Sequence, residues 1–546
     1  MRLLTNNWLV YSSLLVVALL QVIFQPLIMD EAYYYFFAQN IDWGYMDHPP
    51  MVAWGIAIGT CITKAEIGIR LVSIFYFLGT FLLLDKLIDS KSSWKYVFIL
   101  SFPIMHILHM AIPDGPLIFW TTCFLYAIKL YLKKDNVKNV ILLSICVSCM
   151  LYSKYHGFLT LVLVMVSMPY LFRRGSFYLI ILVSLILFLP HILWQIDHDL
   201  ISVKYHLFER SSNKFNINNV TDFFASFSPI VAGLMLVPLV FYKKVKYQFV
   251  SDDDIERKFN RMLIWTILGF LPFFLIFATR GPVEVNWVFS ASVSFIIWFG
   301  NKIDLQHKLV KITGLISLIS FSILRLMLMT QTIPDVGLLH HYAGYEQWAL
   351  ETKKIVGNKK VVFLSNYQLA SLYGYYNNEV PFSQNVLNSR VNHYNITNND
   401  KYFNGQEVVV LGLWNHFFTP EDTIHVGSTI MERKLVENYY ALNWLLLKEG
   451  SIQMEGEQLK ISMLIDNKGN YPLLELWNEN KLHFHIGFQN GQDHIIKLEN
   501  DLIQFNGDSI LLNFNMSILE DCSEFRVGVS YEGNEPSINS SVITME

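Results

Sequence analysis

The sequence WLVYSSLLVVALLQVIFQPLI, residues 8–28, runs directly into MDEAYYYFFAQNIDWGYMDHPP, residues 29–50. The first stretch is almost wholly apolar and long enough to cross a bilayer, because a hydrocarbon layer of ~30 Å needs ~20 helical residues. The second stretch places Asp30 and Glu31 where the apolar run ends. Ionisable side chains at this depth usually line a cavity or a water path. The junction therefore predicts a membrane helix that leads into a polar site.

The whole chain of 546 residues shares this apolar character, with 53% hydrophobic, 15% aromatic and 16% charged residues. Typical soluble proteins carry ~25% charged residues. The composition excludes a disordered chain and a coiled coil, and it argues against a wholly soluble enzyme. The formal net charge of −4 argues against nucleic-acid binding, which needs clustered Lys and Arg. A membrane protein is the expected class.

Apolar runs of spanning length predict a polytopic α-helical membrane protein with about eleven transmembrane helices. The stretch from Met51 to Ile62 is too short to cross and predicts an interfacial or re-entrant helix. The first run lacks the small residues of a signal-peptidase site, so we expect it to be retained. The predicted spans are 8–28, 67–86, 96–112, 115–132, 138–152, 156–172, 176–195, 222–242, 260–279, 284–300 and 309–331.

Basic residues are concentrated in alternate loops, and by the positive-inside rule these loops are cytoplasmic. The prediction is a multi-pass protein of the cytoplasmic membrane, with residues 29–66 and everything after about 332 outside the cytoplasm. The loops predicted to be cytoplasmic carry Lys86, Lys91, Lys95, Lys133, Lys134, Lys138, Arg173, Arg174, Lys243, Lys244, Lys246, Arg257, Lys258, Arg261, Lys302, Lys308 and Lys311.

The polar remainder predicts two further regions after a transmembrane domain of residues 1–331. Residues 332–440 mix strand-like and helix-like runs, which indicates an extracytoplasmic α/β domain. Residues 441–546 show period-two runs separated by Asn, Gly and Asp, which is typical of antiparallel strands. We therefore expect a β-rich, sandwich-like C-terminal domain.

The segment after the first span carries the densest set of reactive side chains. Asp30 and Glu31 can be a solvated helix N-terminus, where carboxylates favour the helix dipole, or part of a site. Tyr33 and its aromatic neighbours can form an interfacial belt or stack on a sugar or an isoprenoid chain. Asp47 and His48 precede Pro49-Pro50, two residues of fixed φ that make a rigid polar site.

A further carboxylate, Asp114, lies in a short turn between two predicted spans. It can be the N-cap of the following helix, which is a common use of Asp before a Gly-Pro turn, or it can belong to the site. His106 and His109 lie shortly before it. Their i, i+3 spacing is compatible with a metal, but an incomplete ligand set favours polar packing. A divalent metal is possible, and the residues do not require one.

Positive charge is predicted at the same membrane face. Lys154, His206, Arg210 and Arg280 all fall in loops predicted to be outside the cytoplasm. Each one alone is typical of a snorkelling or solvated residue. Together with the carboxylates they suit a phosphate-bearing lipid and a proton-accepting base.

In this order the segments resemble the dolichyl-phosphate-mannose protein mannosyltransferase-like glycosyltransferases (family 39), and they are also similar to the aminoarabinose transferases of lipid A. The resemblance covers residues 1 to about 440. It is carried by Asp30-Glu-Ala-Tyr-Tyr, Gly44-Tyr-Met-Asp-His-Pro-Pro50, Pro113-Asp-Gly-Pro-Leu117, Ser153-Lys-Tyr-His-Gly157, Pro190 through Arg210, Asn286-Trp287, Gly344-Tyr-Glu-Gln-Trp348 and Ser389-Arg-Val-Asn-His-Tyr394.

The resemblance implies a type-C glycosyltransferase fold and a polyprenyl-phosphate sugar as donor. It implies that Asp30 is the catalytic base, that Glu31 orients or assists it, and that Asp114 shapes the acceptor or a cation site. Contacts to the donor or acceptor are implied for Tyr33, Tyr45, Asp47, His48, Lys154, His206, Arg210 and Arg280. Lipid A transferases have a Lys before the Pro-Pro, where this chain has His48.

Three functions remain open at this point. The leading one is an inverting transfer of a sugar from a polyprenyl-phosphate donor to a lipid, glycan or protein hydroxyl on the outer face of the cytoplasmic membrane. A transporter or flippase of lipid-linked substrates would need charges within its spans and paired broken helices. Arg325 lies within a predicted span, but no repeat of hydropathy is evident. The third function is a receptor whose outer domain binds glycan.

Overall fold

The protein was described from a computed structural model, over residues 7–206, 215–245, 253–332, 344–387, 389–413, 422–426, 429–455, 458–488, 495–515, 524–532 and 534–544. Its internal contacts divide it into two compact units, Met1–Ala343 and Gly344–Glu546. The described part of the first unit is helical, and all the strands of the described residues lie in the second unit.

Sixteen α-helices form the first unit within the described ranges, and apolar residues from most of them share one buried core. Their bounds are α1 Asn7–Phe24, α2 Met29–Ala38, α3 Met51–Thr60, α4 Glu66–Leu87, α5 Trp94–Leu100, α6 Asp114–Lys133, α7 Val137–Ser153, α8 His156–Ser167, α9 Gly175–Asp197, α10 Ile201–Lys204, α11 Ile217–Ala232, α12 Leu236–Val240, α13 Tyr242–Val245, α14 Asp254–Ala278, α15 Phe289–Gly300 and α16 Lys308–Thr330.

Six stretches of the described residues are long and apolar enough to cross a membrane: α4, α6, α9, Ile217–Val240, α14 and α16. The helices α1 and α2 qualify together, as one stretch bent by 89°. Shorter apolar helices occur at α3, α7, α8 and Val285–Gly300. The prediction of a polytopic helical protein is confirmed. The eleven predicted spans are not all long continuous helices, because several of them are short or broken.

The predicted span at 96–112 shows how a run is broken. α5 ends at Leu100, and a 3-10 turn follows at Pro103–His106. Proline lacks an N–H, and it pushes the residue before it out of the helical region. Phe102 is accordingly extended, at φ −93° and ψ 138°. The irregular backbone that follows is buried in the bundle and leaves N–H groups available for side chains.

Two glycines allow α3 and α4 to approach closely at one end of the bundle. A Cβ at Gly59 would lie 1.9 Å from the carbonyl oxygen of Gly68, and a Cβ at Gly68 would lie 1.8 Å from that of Thr63. Such distances leave no room for a side chain. The close approach fixes the first turn of α4, which carries a site residue described below.

The second unit begins with an α/β layer. Its helices are α17 Tyr345–Val356 and α18 Tyr367–Asn377, and its strands are β1 Lys360–Leu364, β2 Ser383–Gln384, β3 Gln406–Gly412, β4 Asp422–Val426 and β5 Thr429–Tyr439. The strand order is β2-β1-β3-β5-β4. The first three are parallel, whereas β5 and β4 are antiparallel to their neighbours. This layer agrees with the predicted α/β character.

The rest of the second unit is two antiparallel sheets. Its elements are β6 Leu445–Glu455, β7 Gln458–Asn467, α19 Leu473–Asn478, β8 Leu482–Phe488, β9 Ile495–Lys497, β10 Ile503–Phe505, β11 Ser509–Asn515, β12 Glu524–Tyr531, β13 Ser537–Ile538 and β14 Ile543–Thr544. One sheet has the order β10-β11-β7-β6, and the other has β13-β12-β8-β9, with β14 pairing β12. Apolar residues of both sheets share one core. The predicted β-rich region is confirmed, and its sandwich-like character stays a prediction.

Hydrogen bonds cross the predicted boundary at 440/441. The Gln384 side chain donates from Nε2 to the carbonyl of Glu535 at 2.8 Å, and Leu387 N–H donates to the carbonyl of Pro536 at 2.8 Å. On the N-terminal side of this boundary, the Oη of Tyr439 donates to Gln384 Oε1 at 2.6 Å. Buried hydrogen bonds therefore join the residues before 440 to those after 441, and the division of the two regions into separate domains stays a prediction.

We expect Gly68→Ala to destabilise the first unit, because its new Cβ meets a backbone carbonyl that cannot move aside cheaply. Overpacking of this kind costs about 1–3 kcal/mol or more. Gly175→Ala is the matched control, since nothing lies within 4 Å of a Cβ there and its φ is ordinary. Thermal unfolding of both purified variants measures the difference. Equal midpoints would contradict the close-packing argument.

Candidate active site

The 89° bend between α1 and α2 creates the geometry of the site. Pro26 lies within the bend and has no N–H with which to continue α1. α2 then starts at Met29, so Asp30 and Glu31 occupy its first turn. Carboxylates are favoured there because the N–H groups of a first turn lack helical partners. The two neighbours nevertheless have different surroundings.

Glu31 is fully buried in an ion pair with Arg70, and both side chains are 0% exposed. Its Oε1 accepts hydrogen bonds from Arg70 Nε at 2.7 Å and from the N–H of Ala111 at 2.8 Å. Its Oε2 accepts from Arg70 Nη2 at 2.5 Å and from the N–H of Ile28 at 3.1 Å. A carboxylate offers about four acceptor positions. All of those of Glu31 are used within the protein.

Arg70, in the first turn of α4, also holds the bend itself. Its Nη1 donates to the carbonyl of Gln25, and its Nη2 donates to the carbonyl of Pro26 at 2.9 Å. These carbonyls are left without helical partners where α1 ends. No role in the site was predicted for Arg70 from the sequence. The available signal for such a role was the position of Arg70 at the start of the apolar run 67–86, where a buried charge needs a partner.

Asp30 differs from Glu31 because it is half-buried and keeps access to solvent. It lies in the same helical turn, so the clamp on Glu31 also fixes the backbone of Asp30. A partly accessible carboxylate beside a fully bonded one is suited to accept a proton from a bound molecule.

The loop between α2 and α3 is held by two tyrosines that were predicted to bind substrate. Tyr33 donates from Oη to Asp47 Oδ2 at 2.7 Å, and both side chains are buried. The Tyr45 ring stacks on Phe37 with centroids 4.4 Å apart, and its Oη lies 3.1 Å from the carbonyl of Phe37. Burial raises the pKa of Tyr45 well above its ordinary value. These contacts order the loop beneath His48.

A cluster of His and Tyr rings lies next to this loop. His48 is half-buried, 5.7 Å from the ring of Tyr34 and 6.5 Å from that of His206 between centroids. His206 Nε2 lies 3.0 Å from the carbonyl of Asp47, to which it donates when that nitrogen carries the proton. Tyr155 packs 5.5 Å from His206. The structure thus brings together two predicted residues that are far apart in sequence.

Three polar residues behind this cluster were missed by the sequence reasoning. Gln195 donates from Nε2 to Tyr155 Oη and to Ser202 Oγ, both at 2.8 Å. Ser202 donates to the carbonyl of Tyr45 at 3.1 Å. His191, one turn before Gln195 on α9, lies 3.2 Å from Tyr155 Oη. The i, i+4 spacing of His191 and Gln195 on a helix predicted to be apolar was the available signal for those two residues.

Asp114 and Lys154 form a second buried ion pair. The Lys154 Nζ donates to Asp114 Oδ1 at 2.8 Å, and the residues are 3% and 2% exposed. Asn286 adds a hydrogen bond from Nδ2 to Oδ2 at 3.2 Å. Asp114 is the first residue of α6, and its N-cap is Pro113. The alternative of an Asp114 cap is therefore not what the structure shows.

The other predicted residues lie apart from these pairs. Arg280 is exposed just after α14, and Arg210 lies outside the described residues. The ring of His106 stacks on Phe321 at 4.3 Å, and His109 Nε2 lies 3.1 Å from Gln25 Oε1. Nowhere in the described ranges do three or more His, Cys, Asp or Glu side chains form a group that could hold a metal ion.

The chain is similar to known glycosyltransferases in both sequence and fold. Residues 47–194 match the family model described as dolichyl-phosphate-mannose-protein mannosyltransferase. The matched range includes Asp47, Arg70, Asp114 and Lys154. The chain is also similar to the lipid A galacturonosyltransferase RgtD of Rhizobium johnstonii, with 22% identity over 287 residues. That match spans 49% of this chain and 58% of the relative.

Among solved structures, the chain resembles that of ArnT from Cupriavidus metallidurans bound to undecaprenyl phosphate. The TM-score is 0.52 at 13% identity, covering 78% of this chain and 98% of ArnT. The arabinosyltransferase EmbB from Mycobacterium smegmatis matches with a TM-score of 0.38 at 9% identity, covering 98% of this chain and 64% of EmbB. The fold assignment rests on the ArnT likeness. The resemblance inferred from the motifs is thereby confirmed: the chain is a multi-pass membrane protein of the type-C glycosyltransferase fold, similar over residues 47–194 to the protein mannosyltransferase family.

Proposed function

We propose that the protein is a glycosyltransferase that moves a sugar, with inversion, from a polyprenyl-phosphate donor to an acceptor hydroxyl of a lipid, glycan or protein. The observation that carries the proposal is the contrast in the first turn of α2. Glu31 is fully bonded and buried, whereas its neighbour Asp30 keeps access to solvent. This is the arrangement needed for a fixed, accessible base.

Asp30 is the best base among the three predicted catalytic carboxylates. Glu31 has no acceptor position left, so its role is to position α2 through Arg70. Asp114 is engaged with Lys154 and Asn286 and is almost fully buried. Only Asp30 combines a fixed backbone with an accessible carboxylate. Geometry and access are the first requirements of a general base.

In the proposed step the acceptor O–H gives its proton to the Asp30 carboxylate as its oxygen attacks the anomeric carbon of the donor. The bond between that carbon and the phosphate oxygen breaks, and the electron pair leaves with the polyprenyl phosphate. Attack from the face opposite the leaving group inverts the anomeric configuration. Negative charge therefore grows on the phosphate oxygen and calls for donors nearby.

His48 and His206 supply the nearest donors for that phosphate in the proposal. Both are half-buried, their rings are neighbours, and they lie next to the Asp47 loop. Lys154 acts indirectly, because Asp114 already neutralises it in this state. Tyr33 and Tyr45 order the loop, and Arg210 and Arg280 remain proposed phosphate contacts. His48 stands where lipid A transferases carry Lys, so an imidazole takes the place of an ammonium group at this position.

The relatives support this chemistry. RgtD is named for galacturonosyl transfer involving lipid A, and the ArnT structure contains undecaprenyl phosphate. The distribution of Lys and Arg supports an active site on the outer face of the cytoplasmic membrane. Carboxylates and imidazoles are also compatible with a divalent metal, but no step of the proposed transfer needs one.

The first test is Asp30→Asn. Loss of a general base lowers a rate by about 10²–10⁴-fold, and an amide of the same shape leaves the fold intact. Mass spectrometry of envelope lipids, glycans and proteins, with and without the gene, defines the product. Complementation with the variant then measures its formation. Asp254→Asn is the control, because Asp254 is also an Asp in the first turn of a helix, and it is exposed. Product formation by Asp30→Asn at the wild-type rate would remove Asp30 from the mechanism.

A second test separates structure from function at the Asp114–Lys154 pair. Asp114→Leu or Lys154→Met alone leaves a buried unpaired charge, which costs about 3–5 kcal/mol of unfolding free energy. The double variant removes both charges, and we expect it to regain most of that stability while product formation stays low. Thermal unfolding and the complementation assay are measured on all three. Full activity in the double variant would show that the pair is only structural.

A further inference from the structure

Arg325 is a buried charge that the proposed mechanism does not use. It lies in α16, a helix of spanning length, and is 9% exposed. Its Nε donates to Gln21 Oε1 at 3.1 Å, and none of the described carboxylates pairs with it. A guanidinium in the hydrocarbon region costs several kcal/mol, and such residues are usually functional.

The side chains bonded to Arg325 form a series of hydrogen bonds that leads to the bend between α1 and α2. Gln21 donates from Nε2 to Gln25 Oε1 at 2.5 Å and also contacts the carbonyl of Arg325 at 3.4 Å. His109 Nε2 lies 3.1 Å from the same Gln25 oxygen. The carbonyl of Gln25 accepts from Arg70. Gln25 is therefore held at its side chain by Gln21 and His109, and at its backbone by Arg70 from α4, while Arg325 on α16 acts on it only through Gln21.

Packing alone does not explain this series of hydrogen bonds. One turn further along α16, Leu328 packs against Ile28 and Met110 in a small apolar cluster. α16 thus also has an apolar contact beside the bend, and well-packed apolar groups are often as stable as a buried charge or more so. The polar contact adds what a hydrocarbon contact lacks, namely a defined direction for each hydrogen bond.

We propose that Arg325 is a positioning residue for the transfer reaction. Through Gln21 and Gln25 it fixes the bend between α1 and α2, and so it sets the direction in which α2 presents Asp30. The inference rests on the proposed function for its effect on rate. Its effect on the order of α2 is independent of that function.

The test compares Arg325→Met, Arg325→Lys and Gln21→Leu with Ser317→Ala. Ser317 is the matched control because it lies on α16, is buried, and donates one hydrogen bond to the carbonyl of Ser101 at 2.5 Å, away from the bend. Hydrogen–deuterium exchange of the amides of residues 28–38 reports the order of α2. The rate of product formation and its dependence on donor concentration report function, and thermal unfolding reports stability.

We expect Arg325→Met and Gln21→Leu to speed exchange in residues 28–38. We also expect them to lower kcat by about tenfold or more, because a misplacement of ~1 Å can cost ~10²-fold in rate. KM for the donor should change by less than about twofold, since uniform binding is untouched. We expect Arg325→Lys to retain part of the slow exchange and part of the wild-type kcat. The double variant Arg325→Met with Gln21→Leu should exchange little faster, and have a kcat little lower, than either single variant.

Unchanged exchange in Arg325→Met, with only a lower melting temperature like that of Ser317→Ala, would overturn the proposal. Faster exchange with an unchanged kcat would overturn the claim that the bend positions Asp30. If the wild-type protein forms no product, the proposed function fails, and the exchange measurement still decides whether Arg325 orders α2.

Discussion

The ion pair between Glu31 and Arg70 is the interaction on which the described site depends. Both side chains are 0% exposed, so each charge is stable only because the other is present and because backbone groups complete the bonding. Two of those groups, the carbonyls of Gln25 and Pro26, belong to the bend, and a third, the N–H of Ala111, belongs to the broken segment after Pro103. The buried ion pair therefore joins the bend, the segment after Pro103 and the helix α4 that carries Arg70.

The charges of the first unit follow a simple rule near this pair. Glu31 is neutralised by Arg70, and Asp114 is neutralised by Lys154, both with almost no exposure. Asp30 differs from these two carboxylates because it is partly accessible to solvent. Arg325, on α16, is a buried guanidinium. The distinction among the three carboxylates comes from burial, since the chemical group is the same.

Sequence reasoning reached the fold through run length, because a bilayer demands ~20 apolar residues per helix whatever the neighbours are. It failed at 96–112, where Pro103 breaks a run of suitable hydropathy. Asp30, Asp114 and Lys154 were predicted as site residues because charges at the edge of apolar runs are costly and therefore informative, and that assignment stays a prediction. Their partners were not, since Arg70 lies 39 residues from Glu31 and Arg325 lies 304 from Gln21. Pairing over such separations is set by tertiary packing, which a single sequence does not display.

Those separations also order the events of biosynthesis. The carboxylate of Glu31 is made before its partner, so the segment after α1 carries an unneutralised charge until the first turn of α4 has been translated. It cannot settle into the hydrocarbon region before then without a large desolvation cost. Arg325 is translated much later, on α16. If Arg325 positions the bend as proposed, a nascent chain can form the bend with Arg70 but cannot fix its direction until α16 has been inserted. An unfinished chain therefore does not hold an ordered site.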